Sequence, residues 1–302
     1  MLGLKDEVRP NFLIVGAARS GTTSLYYWLK QHPEVFMPDI KEPSYFVHGY
    51  GISDWRKYLS LFEPGRGKKV IGEASTAYLA APESPRWIRD VLGNIKIIIL
   101  LRNPIERAYS LYCWMVMEGY EWLPTFEKAL EEEDRRFQDE PFRRSNPEYF
   151  WDYMYFRSGL YYDQVKRYIE TFGSNSVKTF LFEDLTRSPE KLYSDVCRFL
   201  EVSDNYHPHF IPQNPSKIPR FIRLQYLFRQ APKLVPKLPG VFRKVSRPVI
   251  WRLVPLMMSL NKKAGCRVEI SPELRNRLRE MYREEILRLS ELIGRDLSEW
   301  LR

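Results

Sequence analysis

The residues with the clearest chemical purpose lie near the start of the chain, in the stretch Gly16-Ala-Ala-Arg-Ser-Gly-Thr-Thr-Ser24. Phe12 to Val15 form a short apolar run, Gly16 and Gly21 bracket a turn of small residues, and Thr22-Thr23-Ser24 open the apolar stretch Leu25 to Leu29. A strand, a tight turn and a helix in that order aim backbone N–H groups, with a helix dipole behind them, at whatever anion sits in the turn. The spacing is that of the phosphate-binding pattern Gly-x-x-x-x-Gly-Lys-Ser/Thr, but Thr22 stands where the lysine would be. Without that lysine the turn is poorly suited to moving a γ-phosphoryl group held by magnesium. Arg19, inside the turn, offers a permanent cation with planar donors that suits a phosphate or sulfate without a metal. Gly16, Arg19, Ser20, Gly21, Thr22, Thr23 and Ser24 are therefore the expected anion-binding residues, for a nucleotide other than ATP with magnesium.

Two further sites could complete such a cradle. In Lys41-Glu42-Pro43 the proline disfavours the helical region for Glu42, so Glu42 is predicted to be extended and to present its carboxylate at a strand end. Lys96 to Leu101 is the strongest strand signal in the chain, a continuous apolar run of the kind buried on both faces of a parallel sheet. It ends in Arg102-Asn103-Pro104, where Asn103 suits a helix cap and Pro104 a first helical position, which predicts a helix from Pro104 to about Met117. That puts Arg102 at the strand's carboxyl end, and Arg107 and Ser110 three apart on one helix face, in the crevice where open α/β sheets bind ligands. Glu183-Asp184, after another apolar run, imitates a magnesium-binding acidic pair but reads better as the acidic start of a helix.

The remaining elements are those needed to hold these residues. Val70 to Tyr78 reads as a strand breaking into a polar turn at Glu73 to Thr76, and Val177 to Phe182 as another strand. Helices are predicted over Leu160 to Phe172, stopped by Gly173, and from Ser188-Pro189-Glu190 to Leu200. A long helix is capped by Ser271-Pro-Glu273 and carries Leu274, Leu278, Met281, Tyr282, Ile286 and Leu289 on one face. Residues 118 to 156, rich in aromatics and charge, read as helices inserted over the sheet, with Glu131-Glu-Glu-Asp134 and Arg135-Arg136 as a solvated face. Strands alternating with helices argue an α/β class with a largely parallel sheet.

Composition narrows the setting. The 302 residues suit one large domain spanning 1–302. No run approaches the roughly 20 apolar residues of a membrane span, and none has signal-peptide character. Cys113, Cys197 and Cys266 show no metal-ligand spacing, so a cytoplasmic protein without a metal is the expectation. The formal net charge is +9, yet residues 205–268 hold 13 Lys/Arg and no Asp or Glu, which leaves the remainder net acidic. A single basic, proline-rich segment argues against a nucleic-acid partner and leaves three readings. The segment folds over the nucleotide, it meets an acidic acceptor, or apolar-basic pieces such as Val249 to Val254 make peripheral contact with a membrane surface.

Four motifs, in order, resemble one family. Arg19-Ser-Gly-Thr-Thr23 after a strand, Lys41-Glu-Pro-Ser-Tyr-Phe46, Leu101-Arg-Asn-Pro-Ile-Glu-Arg-Ala-Tyr-Ser110 and Leu292-Ile-Gly-Arg-Asp-Leu-Ser-Glu-Trp300 are similar to those of PAPS-dependent sulfotransferases, nearest to the carbohydrate (heparan-type) and bacterial branch. The resemblance runs from about residue 10 to the C-terminus. It implies a P-loop-like three-layer fold with a central, mainly parallel sheet flanked by helices. It also implies transfer of a sulfuryl group from PAPS (3′-phosphoadenosine 5′-phosphosulfate) to a hydroxyl or amine of a carbohydrate, lipid or other small acceptor, with release of 3′,5′-ADP.

In that scheme Gly16 to Thr23 hold the 5′-phosphosulfate, Arg102 and Ser110 the 3′-phosphate, and Glu42 falls on the catalytic base. Arg19 falls on the family's loop lysine, and Lys217 and Arg220 belong to a nucleotide-closing loop beginning at Asn214-Pro-Ser216. Two departures stand out: arginine at position 19 keeps the charge but cannot donate a proton, and Ala74 replaces a lysine that often follows the glutamate of this segment. His48 is the rival to Glu42, since another branch uses histidine. A P-loop kinase or NTPase, and a non-enzymatic anion-dependent binder of membrane surfaces, are the alternative functions.

Overall fold

The structure, a computed structural model, describes residues 7–145, 148–210, 217–234, 252–264 and 270–302. In chain order the elements are β1 (Phe12–Gly16), α1 (Thr22–Lys30), β2 (Val35–Phe36), α2 (Trp55–Ser60), β3 (Val70–Ala74), α3 (Ala77–Ala80), α4 (Ser84–Leu92), β4 (Lys96–Leu101) and α5 (Pro104–Met117). There follow α6 (Phe126–Glu131), α7 (Glu133–Gln138), α8 (Glu140–Ser145), α9 (Tyr161–Phe172), β5 (Val177–Leu181), α10 (Phe182–Arg187) and α11 (Pro189–Leu200). The chain continues with β6 (Lys217–Pro219) and α12 (Ile222–Leu234), a helix described over 252–260 (α13), β7 (Lys262–Ala264) and α14 (Pro272–Ile293). It divides into two compact units, the first Met1–Arg107, Gly159–Gln213 and Arg279–Arg302, the second Ala108–Ser158 and Asn214–Leu278.

The first unit is built on a five-stranded sheet in the order β2-β3-β1-β4-β5, parallel throughout. Its central strands are continuous apolar runs because both faces are covered: all of β1 and Ile97 to Leu101 are buried. Phe12, Ile14, Ile98 and Leu100 point into one core with Leu25, Tyr26, Leu29, Tyr193 and Val196 of α1 and α11. The alternate residues face the layer where α9 packs on β4 and β5 beside α3 and α4. The result is the expected three-layer α/β arrangement. From β1 the chain passes to β2 and β3 on one side and then crosses to β4 and β5 on the other, so strand order reverses at β1, the place where open α/β sheets have a crevice beyond the carboxyl end.

Two details of this unit differ from the sequence expectations. β5 ends at Leu181, one residue early, because Phe182 already begins α10. The Asp184 carboxylate accepts the Leu181 N–H (3.0 Å) and a two-pronged pair from Arg295 (2.9 and 3.1 Å), while Glu183 accepts the Trp300 indole N–H (3.1 Å). The acidic pair thus ties the C-terminal motif to a helix start. On α14, whose Ser271 hydroxyl caps the Leu274 N–H (3.2 Å), Met281 is 52% exposed rather than buried with Leu278 and Tyr282. Each four-residue step along a helix advances the apolar stripe by about 40°, and Met281 is left at its trailing edge.

The second unit is helical, with one antiparallel pair, β6–β7. Its centre is Glu121, wholly buried, which accepts two bonds from Arg136 (2.7 and 3.0 Å), one from the Tyr155 hydroxyl (2.9 Å) and the N–H groups of Trp122 and Leu123. Glu133 accepts the N–H groups of Phe156 and Arg157, both at 2.8 Å. The expectation of a solvated 131–136 face is therefore corrected for Glu133 and Arg136. Three apart, they share an inward face and find partners there. Of the basic segment, residues 211–216, 235–251 and 265–268 lie outside the described residues, and with them the expected closing loop at Asn214-Pro-Ser216 and the Val249 to Trp251 part of the apolar-basic stretch.

In β3 of the first unit, Glu73 is wholly buried with only hydroxyls around its carboxyl: Tyr78 (2.7 Å) and Tyr58 (3.3 Å) on one oxygen and Ser75 (2.8 Å) on the other. Burial pushes its pKa up to about 7, the donors pull it back, and the nearby Glu42 charge adds to the rise. A carboxyl whose folded pKa is raised stabilises the fold below its unfolded value, and that contribution is lost as pH rises through about 7. Between about pH 4 and about pH 8 the wild type should therefore lose roughly 3 kcal/mol more stability in denaturant titrations than Glu73→Gln does. An unchanged pH slope in the variant would assign the loss to other groups.

Candidate active site

β1 delivers the chain to the crevice at Gly16, and the turn that follows depends on missing side chains. Gly16 has φ 151°, and a Cβ there would lie 2.6 Å from Leu79 Cβ and 3.3 Å from the Thr76 carbonyl oxygen. Gly21 has φ 90°, with Leu185 Cδ1 2.9 Å from the same construction. Between them the Ala17 N–H donates to the Leu100 carbonyl of β4 (2.6 Å), and the Ser20 N–H donates to Ala17 (3.2 Å). Helix α1 then starts at Thr22 with Gly21 as its cap and no side chain on the free N–H groups. Those first N–H groups have no carbonyl of their own helix to bond. Ser20 is wholly buried, and its hydroxyl oxygen has no hydrogen-bond partner. A buried hydroxyl left unpaired is costly, and an anionic oxygen held in the turn is the partner its chemistry calls for.

Arg102, at the end of β4, is 7% exposed and lies where expected, against the cradle. Its Nη1 donates to the Arg19 carbonyl (3.3 Å), and its guanidinium covers the Phe182 ring at 4.6 Å. The Arg102 carbonyl in turn accepts the Tyr161 hydroxyl (3.1 Å). Arg19 itself adopts a left-handed conformation, φ 66°.

Glu42 comes to the same edge of the sheet by its backbone. Its N–H donates to the Ala74 carbonyl at the end of β3 (3.0 Å). The carboxylate accepts the Thr76 N–H (2.6 Å), lies 3.2 and 3.3 Å from the Thr76 hydroxyl and pairs with Lys41. Thr76 is the link between the two parts of the site, since its carbonyl also closes on Gly16. The predicted extended conformation is overturned: Glu42 has φ 61° and Ser44 φ 50°. Pro43 excludes the right-handed helical region for its predecessor, and the left-handed one is where the Glu42 N–H meets Ala74 while its side chain meets Thr76. Such residues cost on the order of 1–3 kcal/mol each and persist where surroundings over-determine them.

Part of that support was missed in the sequence. The Ser44 N–H donates to the Ser75 hydroxyl (2.9 Å), which itself donates to Glu73 (2.8 Å), so a buried carboxyl holds the loop that carries Glu42. A charged residue inside the apolar strand Val70-Ile-Gly-Glu-Ala74 was the available signal. The rival His48 stacks its ring on Trp87 (4.8 Å between centroids), and its N–H donates to Glu83 (3.3 Å).

The first unit thus assembles Gly16 to Ser24, Glu42 and Arg102. Ser110, Lys217 and Arg220 belong to the second unit: Ser110 half-buried on α5, Lys217 in β6, and Arg220 exposed just after it. Among the described residues no three His, Cys, Asp or Glu side chains gather as a metal site. An anion cradle, two guanidinium residues and a carboxylate on one sheet edge can hold a phosphate-like group and take a proton from a molecule attacking it.

The Sulfotransferase domain family matches residues 9–226 of the chain. A crystal structure of a sulfotransferase from Alicyclobacillus acidocaldarius superposes with a TM-score of 0.72 at 32% identity, covering 97% of this chain and 99% of that one. Among curated relatives, membrane-associated sulfotransferase kil1 of Dictyostelium discoideum is 24% identical over 68% of the chain, which spans 59% of that protein. Heparan sulfate glucosamine 3-O-sulfotransferase 6 of Homo sapiens is 33% identical over 39% of the chain, which spans 33% of it. The matched residues run through β1, the cradle, Glu42 and Arg102, and so the chain belongs to the sulfotransferase domain family, on its P-loop-like α/β fold.

Proposed function

We propose that the protein moves the sulfuryl group of PAPS to a hydroxyl or amine, needs no metal, and releases 3′,5′-ADP. The observation that carries this reading is the lysine-free turn with the buried, unpartnered Ser20 hydroxyl and the Arg102 guanidinium against it. PAPS would supply a sulfuryl group already activated on a 5′-phosphate leaving group. The turn and the start of α1 hold the phosphosulfate, and Arg19 offsets the charge that builds on the phosphate oxygen as its bond to sulfur breaks. Glu42 takes the proton of the acceptor as that atom bonds to sulfur in line with the leaving oxygen. Arg102 and Ser110 bind the 3′-phosphate that distinguishes PAPS from ATP, and Lys217 and Arg220 cover the nucleotide. The heparan sulfate relatives support a carbohydrate among the acceptors, beside lipids and other small molecules. The proposed setting is the cytoplasm; among the described residues no helix is long and apolar enough to cross a membrane.

Calorimetric titration separates this reading from that of a kinase or NTPase. 3′,5′-ADP should bind tightly and identically with and without EDTA, whereas ATP should bind weakly; magnesium-dependent ATP binding without 3′,5′-ADP binding would sink the proposal.

Glu42→Gln should lower turnover of labelled PAPS by about 100-fold or more, the typical share of a general base, with the dissociation constant of 3′,5′-ADP changed no more than about twofold. Turnover that survives the substitution would move the base elsewhere, with His48→Ala the next variant to measure.

A further inference from the structure

α13 carries Leu253, Leu256, Met257 and Leu260 at positions i, i+3, i+4 and i+7, the spacing of a stripe that normally faces a core. Here the stripe faces solvent. The four side chains are 46%, 54%, 42% and 68% exposed, while Met258 on the other side is buried. Helix α12 is turned the same way. Phe221 just before it and Leu227 within it are 66% and 61% exposed. Its one buried residue among those described is polar: Gln225 donates to the Met117 carbonyl (2.8 Å), and half-buried Arg229 donates to the Glu118 carbonyl (2.8 Å). Both helices therefore present the face that a water-soluble helix hides.

The two faces are fixed to one another. Asn261, at the end of α13, accepts the Phe221 N–H (3.2 Å) and donates to the Phe221 carbonyl and the Gln225 side chain, both at 2.9 Å. Its carbonyl accepts the Arg220 N–H (2.6 Å). Phe221 and Leu260 thus flank one buried amide.

The charge around this apolar face has one sign. Arg223 and Arg252 are exposed, residues 205–268 contain no acid, and the neighbouring Glu118 is already taken by Arg229 (3.3 Å) and Lys262 (3.1 Å). A second copy of the same face would set these arginines against their own equivalents, which opposes self-association. Exposed leucines with flanking arginines are instead the pattern of helices lying in the plane of a membrane, where apolar residues enter the acyl boundary and cations meet anionic headgroups.

We propose that the α12–α13 face is a docking surface for an anionic lipid bilayer, with Leu253, Leu256, Leu260 and Phe221 as the inserting residues and Arg223 and Arg252 as headgroup contacts. This is independent of the transfer chemistry. The test is flotation of the intact protein with vesicles of phosphatidylcholine alone or mixed with phosphatidylglycerol. The protein should float with the mixed vesicles and not with phosphatidylcholine alone. Leu256→Glu with Leu260→Glu should lower the partition coefficient about 100-fold or more with the melting temperature unchanged, because both positions are exposed. Arg223→Gln and Arg252→Gln should each weaken binding about fivefold.

A gain-of-signal arm does not depend on destabilised variants: Phe221→Trp fluorescence should be quenched by vesicles with brominated acyl chains. Protein that stays with the buffer fraction, flotation that survives the double glutamate change, or an unquenched tryptophan would each overturn the proposal. So would sedimentation showing a dimer that Leu256→Glu with Leu260→Glu dissolves, which would assign the face to a second copy of the chain.

Discussion

The chain can leave β1 as it does only because positions 16 and 21 carry no side chain, and the rest of the candidate site depends on that exit. With a Cβ at Gly16 the Leu79 side chain and the Thr76 carbonyl would have to withdraw, and Thr76 is also the residue whose N–H and hydroxyl meet the Glu42 carboxylate. One steric requirement therefore sets both the anion cradle and the carboxylate beside it. The parallel pairing of β1 with β3 and β4 supplies the rest. Ile14 is level with Ala74 and Ile98, so the carboxyl ends of three neighbouring parallel strands bring Gly16, Thr76 and Arg102 to one edge.

Around that edge the backbone is held in conformations it would not choose. Glu42 and Ser44 are left-handed on either side of Pro43, and their N–H groups are taken up by Ala74 and Ser75. Ser75 is in turn fixed by Glu73, which pays for its burial with three hydroxyl donors and no cation. Glu121 in the second unit solves the same problem differently, with a guanidinium and two backbone N–H groups. A buried carboxyl surrounded by neutral donors responds to pH, so the loop carrying Glu42 stands on a pH-sensitive support.

Much of this was legible in the residues because the parallel strands are buried on both faces and so print continuous apolar runs. β1 and β4 were visible for that reason, whereas β2, only two residues long, has no pattern to read. The tight turn after β1 was visible because Gly16 and Gly21 have positive φ and no room for a Cβ. The conformation of Glu42 was not, since the proline rule removes the right-handed region without choosing between the others. Burial of Glu133 and Arg136 was hidden for a different reason. Their partners, the Phe156 and Arg157 backbone and Glu121, are distant in sequence, and a local run of charge looks solvated. Arg102 ends a central strand, as the apolar run Lys96 to Leu101 implied, while Ser110, Lys217 and Arg220 belong to the other unit.

The choice of arginine at the end of β4 follows from how this cation is buried. Arg102 is 7% exposed, set between the Phe182 ring and the Arg19 carbonyl. A compact ammonium is strongly hydrated and would lose most of that hydration there, whereas a planar guanidinium is weakly hydrated and stacks on an aromatic face. Phe182 occupies the first turn of α10, the element whose Leu185 also closes on Gly21. The same short helix therefore shapes the turn and supports the cation beside it. A guanidinium keeps its protons throughout, so in the proposed transfer Arg19 and Arg102 can stabilise a leaving anion but cannot protonate it. That suits a departing group already stable as an anion, a condition that a phosphate leaving group meets and an alkoxide does not.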